Sequence, residues 1–129
     1  MIFQNIPYFT FLQEFELEGI ALDLHNDFVI KRAYLQDKDF VIRLKHHLDS
    51  TKDVVMIFYG ASIMQEKSTL QNLANNSICD IFRQQWIENL HYSEPPNQML
   101  LEISFNEGCE SVILTCQYYE VRFENDSTR

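Results

Sequence analysis

Two adjacent histidines, His46 and His47, are residues able to bind a metal ion or to move a proton. They lie in a stretch, 40–48, where apolar and polar residues alternate, which predicts a β-strand. Neighbouring side chains of a strand point to opposite faces, so the two imidazoles cannot ligate one ion together. We therefore predict that His46 is partly buried and hydrogen-bonded among apolar side chains, whereas His47 is solvated beside Arg43 and Lys45.

A row of carboxylates near the N-terminus is the second group with possible chemistry. Glu14, Glu16 and Glu18 are spaced two apart, so in an extended chain they share one face at intervals of roughly 6.5–7 Å. Such a row repels itself, and it can mimic phosphate spacing toward a cationic partner. The pattern is also typical of a solvated edge strand that avoids sheet-to-sheet association. A paired-carboxylate hydrolase is less favoured, because nothing nearby would separate the two carboxyl pKa values.

The distribution of charge places this row in an acidic N-terminal segment. The formal net charge is −9, and residues 1–30 contain five acids and no base, whereas residues 31–52 contain six bases and three acids. A field of this sign repels nucleic acid and anionic membranes, so neither is an expected partner. Tyr118 falls on a polar face and is a possible interface anchor. The predicted protein-binding residues are Glu14, Glu16, Glu18, Asp23, Asp27 and Tyr118.

The C-terminal acids have a different predicted role. Glu107 and Glu110 lie around a predicted turn, and Glu102, Glu120 and Glu124 lie on the flanking predicted strands. A recognition surface is one interpretation of this cluster, as for the N-terminal row, and pairing with cations is the favoured one. Cross-strand neighbours of opposite charge pair readily on a sheet surface. We therefore predict that these acids pair with Arg122 or with the basic segment 31–45, whose positive charge offsets the negative charge of the acids.

Motifs for catalysis, cofactors or targeting are missing from the sequence. It contains no GxSxG, no glycine-rich phosphate loop and no HExxH, so neither an enzyme nor a bound cofactor or metal is predicted. Cys79, Cys109 and Cys116 form no CxxC pair, which is typical of reduced cytoplasmic thiols. The N-terminus lacks a targeting pattern and no apolar run reaches ~18 residues, so a soluble cytoplasmic protein is expected.

The hydrophobic period predicts the elements that carry these residues. A period of two predicts strands over residues 20–24, 40–48, 101–105, 112–116 and 119–123, and residues 28–35 are predicted to be the return strand after the first turn. The run over 54–59 is apolar on both faces, which predicts a central strand covered on both sides. An apolar stripe with helical spacing predicts one principal helix over 78–90, with Trp86 in the core. Shorter helices are predicted after Pro7 and over 70–74, and Asn26-Asp27 is predicted to be a turn. A change of parity near Gln117 predicts a β-bulge or a strand break.

Together these elements predict a single α+β domain over residues 1–129. Its sheet is mainly antiparallel, and the helix over 78–90 packs across one sheet face.

In size, charge and α+β composition the whole chain resembles the small acidic immunity proteins of bacterial contact-dependent growth inhibition and related polymorphic toxin systems. The resemblance implies a protein without a reaction of its own that binds and neutralises a basic, nuclease-type toxin domain. It implies a monomer or weak homodimer with the acidic residues named above, and Tyr118, at the toxin interface.

Two other classes of function remain open from the sequence. One is a small-molecule-binding domain with an aromatic pocket between the sheet and the helix over 78–90; a cavity beside an inward His46 would favour it. The other is a scaffold subunit that homodimerises through an edge strand.

Overall fold

The computed structural model describes residues 1–66, 70–87, 92–93, 96–105 and 110–124. Within these ranges nearly all regular structure is β-strand. The strands are β1 Ile2–Phe3, β2 Phe11–Leu12, β3 Glu14–Leu17, β4 Ile20–Asp23, β5 Phe28–Gln36, β6 Asp39–His46, β7 Val54–Tyr59, β8 Ser62–Glu66, β9 Ile78–Gln84, β10 Trp86–Ile87, β11 Tyr92–Ser93, β12 Met99–Phe105, β13 Glu110–Cys116 and β14 Tyr118–Phe123. Helical structure consists of the four-residue α1 (Leu24–Asp27) and the 3-10 helices Ser50–Lys52 and Leu70–Leu73.

Two five-stranded antiparallel sheets enclose one hydrophobic core. Sheet 1 has the strand order β1-β14-β7-β6-β5, and sheet 2 has the order β2-β9-β12-β13-β8. Inward side chains of both sheets form one buried cluster, among them Phe40 and Phe58 of sheet 1 and Leu101 and Ile103 of sheet 2. The strands β3 and β4 form a separate hairpin, as do β10 and β11. The predicted α+β class is therefore wrong: the described chain is built almost entirely from strands.

The principal helix predicted over 78–90 is wrong, because residues Ile78–Gln84 form strand β9 inside sheet 2. The register between β9 and β12 shifts next to Phe105, and Cys79 is the extra residue at this irregularity. The β-bulge puts Ile78 and Ile81, three residues apart, on the same buried face. The buried apolar residues of a bulged strand can therefore have the i, i+3 spacing that is typical of a helix. The β-branched and aromatic residues of this segment favour a strand. Trp86 lies in β10, and its side chain is outside the described part.

The short helices are corrected as well. The segment after Pro7 does not form a helix; it leads into β2, and Phe9 adopts a left-handed backbone with φ of 65°. The predicted helix over 70–74 is a 3-10 helix, Leu70–Leu73. The predicted turn at Asn26-Asp27 is part of α1.

The parity change near Gln117 is confirmed as a strand break with a clear cause. Strand β13 belongs to sheet 2, whereas β14 belongs to sheet 1, so the chain crosses between sheets at Gln117. Cys116 and Tyr119 both point into the shared core, with 0% and 1% exposure. After the crossing, the odd-numbered residues face the core, whereas the even-numbered ones faced it before.

The predicted strands over 28–35, 40–48 and 54–59 are confirmed as β5, β6 and β7, although β6 ends at His46.

None of the helices in the described ranges has the length and apolar character that crossing a membrane requires.

Cys79 and Cys116 are free thiols, and Cys109 lies outside the described residues. Burial raises the pKa of Cys116 to about 12, and the nearby Arg83 offsets this only in part. The thiol is therefore protonated and poorly reactive at neutral pH.

Candidate protein-binding surface

The hairpin of β3 and β4 sorts its side chains by strand alternation. Phe15 lies opposite Leu22, and Leu17 lies opposite Ile20. These apolar side chains pack on the core, where Leu17 and Leu22 are each 3% exposed. The other parity therefore faces outward and carries the carboxylates of the N-terminal row.

Four of the predicted residues meet on this outward face. Glu14 lies directly opposite Asp23, and Glu16 lies opposite Ala21. With Asp27 of α1 they line an open depression of about 450 Å³, to which Phe15, Ala21 and Leu22 also contribute. We call Glu14, Glu16, Asp23 and Asp27 the acidic hairpin surface. Like charges directly opposite in a sheet repel, so this arrangement costs stability.

Hydrogen bonds hold the two aspartates in place. Asp23 caps α1 and accepts from the backbone N–H groups of His25 and Asn26 at 2.9 and 3.1 Å, and from Gln13 Nε2 at 3.1 Å. Asp27 Oδ2 accepts from the backbone N–H of Asp23 at 2.8 Å. Burial raises the pKa of Asp23, but the hydrogen bonds from Gln13, Asn26 and His25 together outweigh it and lower the pKa. Asp23 is therefore a fixed negative charge at neutral pH.

The part of the chain that the structure describes places no lysine or arginine in an ion pair with the acidic hairpin surface. Glu14 and Glu16 are exposed. Their charges therefore act on the solvent side of the hairpin, where a partner would approach.

Two predicted residues lie elsewhere. Glu18 occupies the hairpin turn with a left-handed φ of 52°, followed by Gly19 at 81°. Tyr118 lies on the outer face of sheet 1 and stacks on Tyr59, with ring centroids 4.7 Å apart. It is not among the residues that line the acidic depression.

Two side chains of the basic segment form ion pairs with carboxylates at the end of sheet 1. Lys31 Nζ bridges Asp53 at 3.0 Å and Glu124 at 2.9 Å, and Arg43 Nη1 donates to Glu124 at 2.8 Å. A hydrogen bond from Arg43 Nε to the Tyr34 hydroxyl completes this group. The predicted pairing of Glu124 with the basic segment is confirmed. The cations Lys31 and Arg43 thus offset the charges of Asp53 and Glu124.

The two histidines have the predicted environments, although only His46 belongs to strand β6 and His47 follows its end. His46 is 8% exposed and lies edge-on to Phe28 at 5.2 Å between centroids. Its Nδ1 accepts from the backbone N–H groups of Leu48 and Asp49 at 3.1 and 3.2 Å. His47 is exposed. Within the described ranges, no group of three His, Cys, Asp or Glu side chains could hold a metal ion.

A small-molecule pocket of the predicted kind is not supported, because the helix that would form one wall is a strand. The space between the hairpin and the core, lined by Phe15, Leu24, Met56 and Tyr119 among others, measures only about 10 Å³. That volume accommodates about one water molecule.

One group of exposed side chains was not predicted. Tyr8, Phe9 and Phe11 are 48%, 62% and 64% exposed and gather around Phe82 of β9. The spacing of Phe9 with Leu12, and of Phe11 with Phe15, predicts a helix, but this segment contributes to strands β2 and β3. The alternation that indicates a strand begins only at Glu14, after the exposed rings.

No protein-family model matches the chain, and comparisons with curated proteins and with solved structures found no significant match.

Proposed function

We propose that this protein is an immunity protein that binds a basic bacterial toxin domain and neutralises it through the acidic hairpin surface. The observation that carries the proposal is the meeting of four carboxylates, Glu14, Glu16, Asp23 and Asp27, around one exposed depression. Like charges close together are unfavourable for folding, so a cluster of four carboxylates indicates a binding role that offsets this cost. A cationic partner fits that role, because its charge relieves the repulsion.

The depression suits a basic protein better than a free metal ion or a small substrate. It is wide and open, and its apolar lining residues provide surface that a protein side chain can cover. The hydrogen bonds to Asp23 and Asp27 fix two of the charges before binding, which reduces the entropy lost on association.

Neutralisation then follows from competition. A toxin domain that acts on a polyanion presents basic residues around its active site, and a carboxylate row can occupy them in place of the phosphates. The net charge of −9 also accelerates the encounter of the two proteins at low ionic strength. No reaction by the immunity protein is needed.

The test uses the C-terminal domain of the secreted protein encoded next to this gene, made catalytically inactive by substitution. We expect the two proteins to co-purify as a stable complex. We also expect that co-expression of this protein restores growth to cells that produce the active domain. Failure of both the complex and the rescue overturns the proposal, as does the absence of a gene for such a protein.

A charge-reversed variant tests the surface itself. Glu14→Lys with Glu16→Lys places two cations on the exposed face of β3 while leaving Phe15 and Leu17 in the core. We expect this variant to lose most of the protection. Full protection by a folded charge-reversed variant shows that the toxin binds elsewhere.

A further inference from the structure

Four aromatic rings gather at the surface beside strand β9, three of them on exposed residues. Phe11 lies over Phe82 with centroids 4.2 Å apart, and Phe9 lies 6.3 Å from Phe82 and 6.4 Å from Tyr8. We call these four residues the aromatic patch. Exposed aromatic residues that are gathered together mark interaction surfaces, whereas single exposed apolar residues need no explanation.

The backbone holds the patch in a defined shape. Phe9 N–H donates to Arg83 C=O and Arg83 N–H donates to Thr10 C=O, both at 2.9 Å. Arg83 itself is buried, donates to the Ile6 carbonyl at 2.6 Å and stacks over the Tyr8 ring at 4.5 Å. The patch is therefore preorganised, and its rings do not have to be ordered when a partner binds.

One residue of the patch is held outward at a conformational cost. Phe9 has a φ of 65°, in the left-handed region that bulky residues rarely adopt. Residues in such strained conformations cluster at binding and catalytic sites. The strain turns a phenyl ring, 62% exposed, into solvent instead of into the core.

Two carboxylates border the patch on the same outer face of sheet 2. Glu102 lies directly opposite Phe82, and Asp80 lies two residues before Phe82 on the same parity. Both carboxylates are half-buried. Burial raises the pKa of Asp80, and the charge of Glu102 raises it further. The two acids repel each other beside the rings, so a cation placed between them would be attracted by both.

The combination of stacked rings and carboxylates matches the chemistry of arginine. A guanidinium group stacks on aromatic faces and donates to carboxylates through a planar fork. A second copy of this chain is a poor occupant, since two molecules with a net charge of −9 repel each other. Nucleic acids and anionic lipid surfaces are disfavoured for the same reason.

We propose that the aromatic patch, together with Asp80 and Glu102, is a docking site for an arginine-bearing segment of a basic protein partner. The proposal rests on the proposed function, because the partner is the same toxin domain. Phe11 of the patch and Glu14 of the acidic hairpin surface are three residues apart, which is at most about 11 Å along the chain. One partner can therefore reach both surfaces at once.

The two surfaces have separable effects on binding. Exposed charges of the acidic hairpin surface act at long range and govern the association rate. The aromatic patch acts only on contact, so it governs the dissociation rate.

The test compares the double variant Phe9→Ser, Phe11→Ser with a matched control in binding kinetics to the inactive toxin domain. The control, Leu35→Ser with Leu48→Ser, removes two apolar side chains that are 53% and 92% exposed at other positions. We expect the patch variant to dissociate at least about 30-fold faster, with an association rate within about twofold of wild type. The control is expected to match wild type. Equal dissociation rates for the patch variant and the control overturn the proposal.

A second variant covers the case in which the patch variant does not fold. Asp80→Asn with Glu102→Gln keeps the shape of both side chains and removes the charges that attract the arginine. We expect this variant to remain folded by circular dichroism and to dissociate at least about tenfold faster from the toxin domain. An unchanged dissociation rate overturns the docking of a cation.

A hexa-arginine peptide separates failure of this proposal from failure of the proposed function. In amide chemical-shift titrations of the protein alone, we expect shifts at Phe11, Asp80, Phe82 and Glu102 that are lost in the patch variant. If the toxin domain does not bind wild type but these shifts occur, the proposed function fails and arginine docking stands. If the toxin domain binds wild type and the peptide shifts only the acidic hairpin surface, arginine docking fails alone.

Discussion

At the residue scale, the carboxylates of this protein have two different tasks. Asp53 is 6% exposed, accepts from the His46 backbone N–H at 2.8 Å and pairs with Lys31. Such a group stabilises the fold because its charge is matched where it is buried. Glu14 and Glu16 have no such match among the described residues and face solvent. Asp80 and Glu102 stand between these two cases, since they are half-buried next to each other.

Asp80 gives the first prediction. Because burial and Glu102 raise its pKa, the ionised side chain destabilises the folded state at neutral pH. We expect Asp80→Asn to increase the free energy of unfolding by about 0.2–1 kcal/mol near pH 7, the range for relief of a like-charge pair across strands. The gain should fall as the pH decreases through the raised folded pKa and vanish near the unfolded value of about 3.9.

Urea unfolding of wild type and Asp80→Asn near pH 7 and near pH 4 measures this difference. Glu102→Gln is the companion variant, because it removes the repulsion and leaves Asp80 in place. It should give a smaller gain with the same pH dependence. A loss of stability in Asp80→Asn near pH 7 would show that the carboxylate has a favourable partner.

At the scale of elements, the hairpin of β3 and β4 depends on its turn. Glu18 and Gly19 both have positive φ, as a two-residue type I′ turn requires. This turn sets the register that places Glu14 and Glu16 on one face and Phe15 and Leu17 on the other. The turn chemistry therefore maintains the acidic hairpin surface.

Substitutions in the turn give the second prediction. We expect Glu18→Asn to increase the free energy of unfolding by about 0.5–1 kcal/mol, because asparagine adopts the left-handed region more readily than glutamate. Gly19→Ala should lower it by about 1 kcal/mol. An added Cβ at Gly19 meets no atom within 4 Å, so the whole loss comes from the backbone. Urea unfolding measures both changes.

Gly60→Ala is the control for this interpretation. Gly60 also has a positive φ, of 62°, but its added Cβ would lie 3.2 Å from Gln117 Cδ. The loss of stability should therefore exceed that of Gly19→Ala, and Gln117→Ala should recover part of it. Equal losses at the two glycines would contradict the added steric cost at Gly60.

The cap of α1 gives the third prediction. Asp23 accepts from two backbone N–H groups, and its lowered pKa adds stability that is present above the unfolded pKa of about 3.9 and lost as pH falls through the folded pKa. We expect Asp23→Ala to lower the free energy of unfolding by about 1 kcal/mol near pH 7. The difference from wild type should shrink below about pH 4.

Asp23→Asn separates the cap from the charge in the same unfolding measurements. Asparagine retains the capping oxygen and removes the repulsion with Glu14, so its loss should be less than half that of Asp23→Ala. A loss in Asp23→Ala that does not change between about pH 7 and about pH 3 would contradict the assigned role of the ionised cap.

Strands with a regular period could be predicted from the sequence, and elements with an irregular one could not. Strand β6 alternates over most of its length and β7 is one uninterrupted apolar run, so both strands are visible in the sequence. In β9 the extra residue Cys79 shifts the parity and imitates a helix. At Gln117 the inward parity changes because the chain enters the other sheet. Both irregularities depend on which strands pair, and pairing between distant segments is decided by packing of the whole core.

At the scale of the whole molecule, positive and negative charges are separated. Two cations of the basic segment, Lys31 and Arg43, form ion pairs with Asp53 and Glu124 at the end of sheet 1. The acidic hairpin surface lies on the β3–β4 hairpin and α1, which follow β2 along the chain and belong to neither five-stranded sheet. This separation leaves one region of the molecule strongly negative, which orients a basic partner toward it before contact.

The sequence predicts the part of the candidate site that depends on the spacing of neighbouring residues. Glu14 and Glu16 share a face because of strand alternation, which is a property of neighbouring residues. Asp23 and Asp27 join them through the hairpin pairing, and sequence reasoning had included them only for their charge. Tyr118 and the ring of Phe82 could not be placed, because their positions depend on contacts between segments far apart in the chain.

The most direct test of the central claim is the association rate of the inactive toxin domain as a function of ionic strength. The variant Glu14→Gln, Glu16→Gln is compared with Gln36→Lys, Ser62→Lys, and both pairs change the net charge from −9 to −7. Gln36 and Ser62 are exposed and lie outside the acidic depression. The two variants therefore differ only in where the charge is changed.

At about 0.01 M ionic strength we expect the Glu14→Gln, Glu16→Gln variant to associate about threefold to tenfold more slowly than wild type, because local charge steers the encounter. Its rate should also depend less on salt, and the control should stay within about twofold of wild type. Equal slowing of both variants would mean that net charge alone acts, and an unchanged rate in the glutamate variant would contradict the acidic hairpin surface as the toxin-binding site.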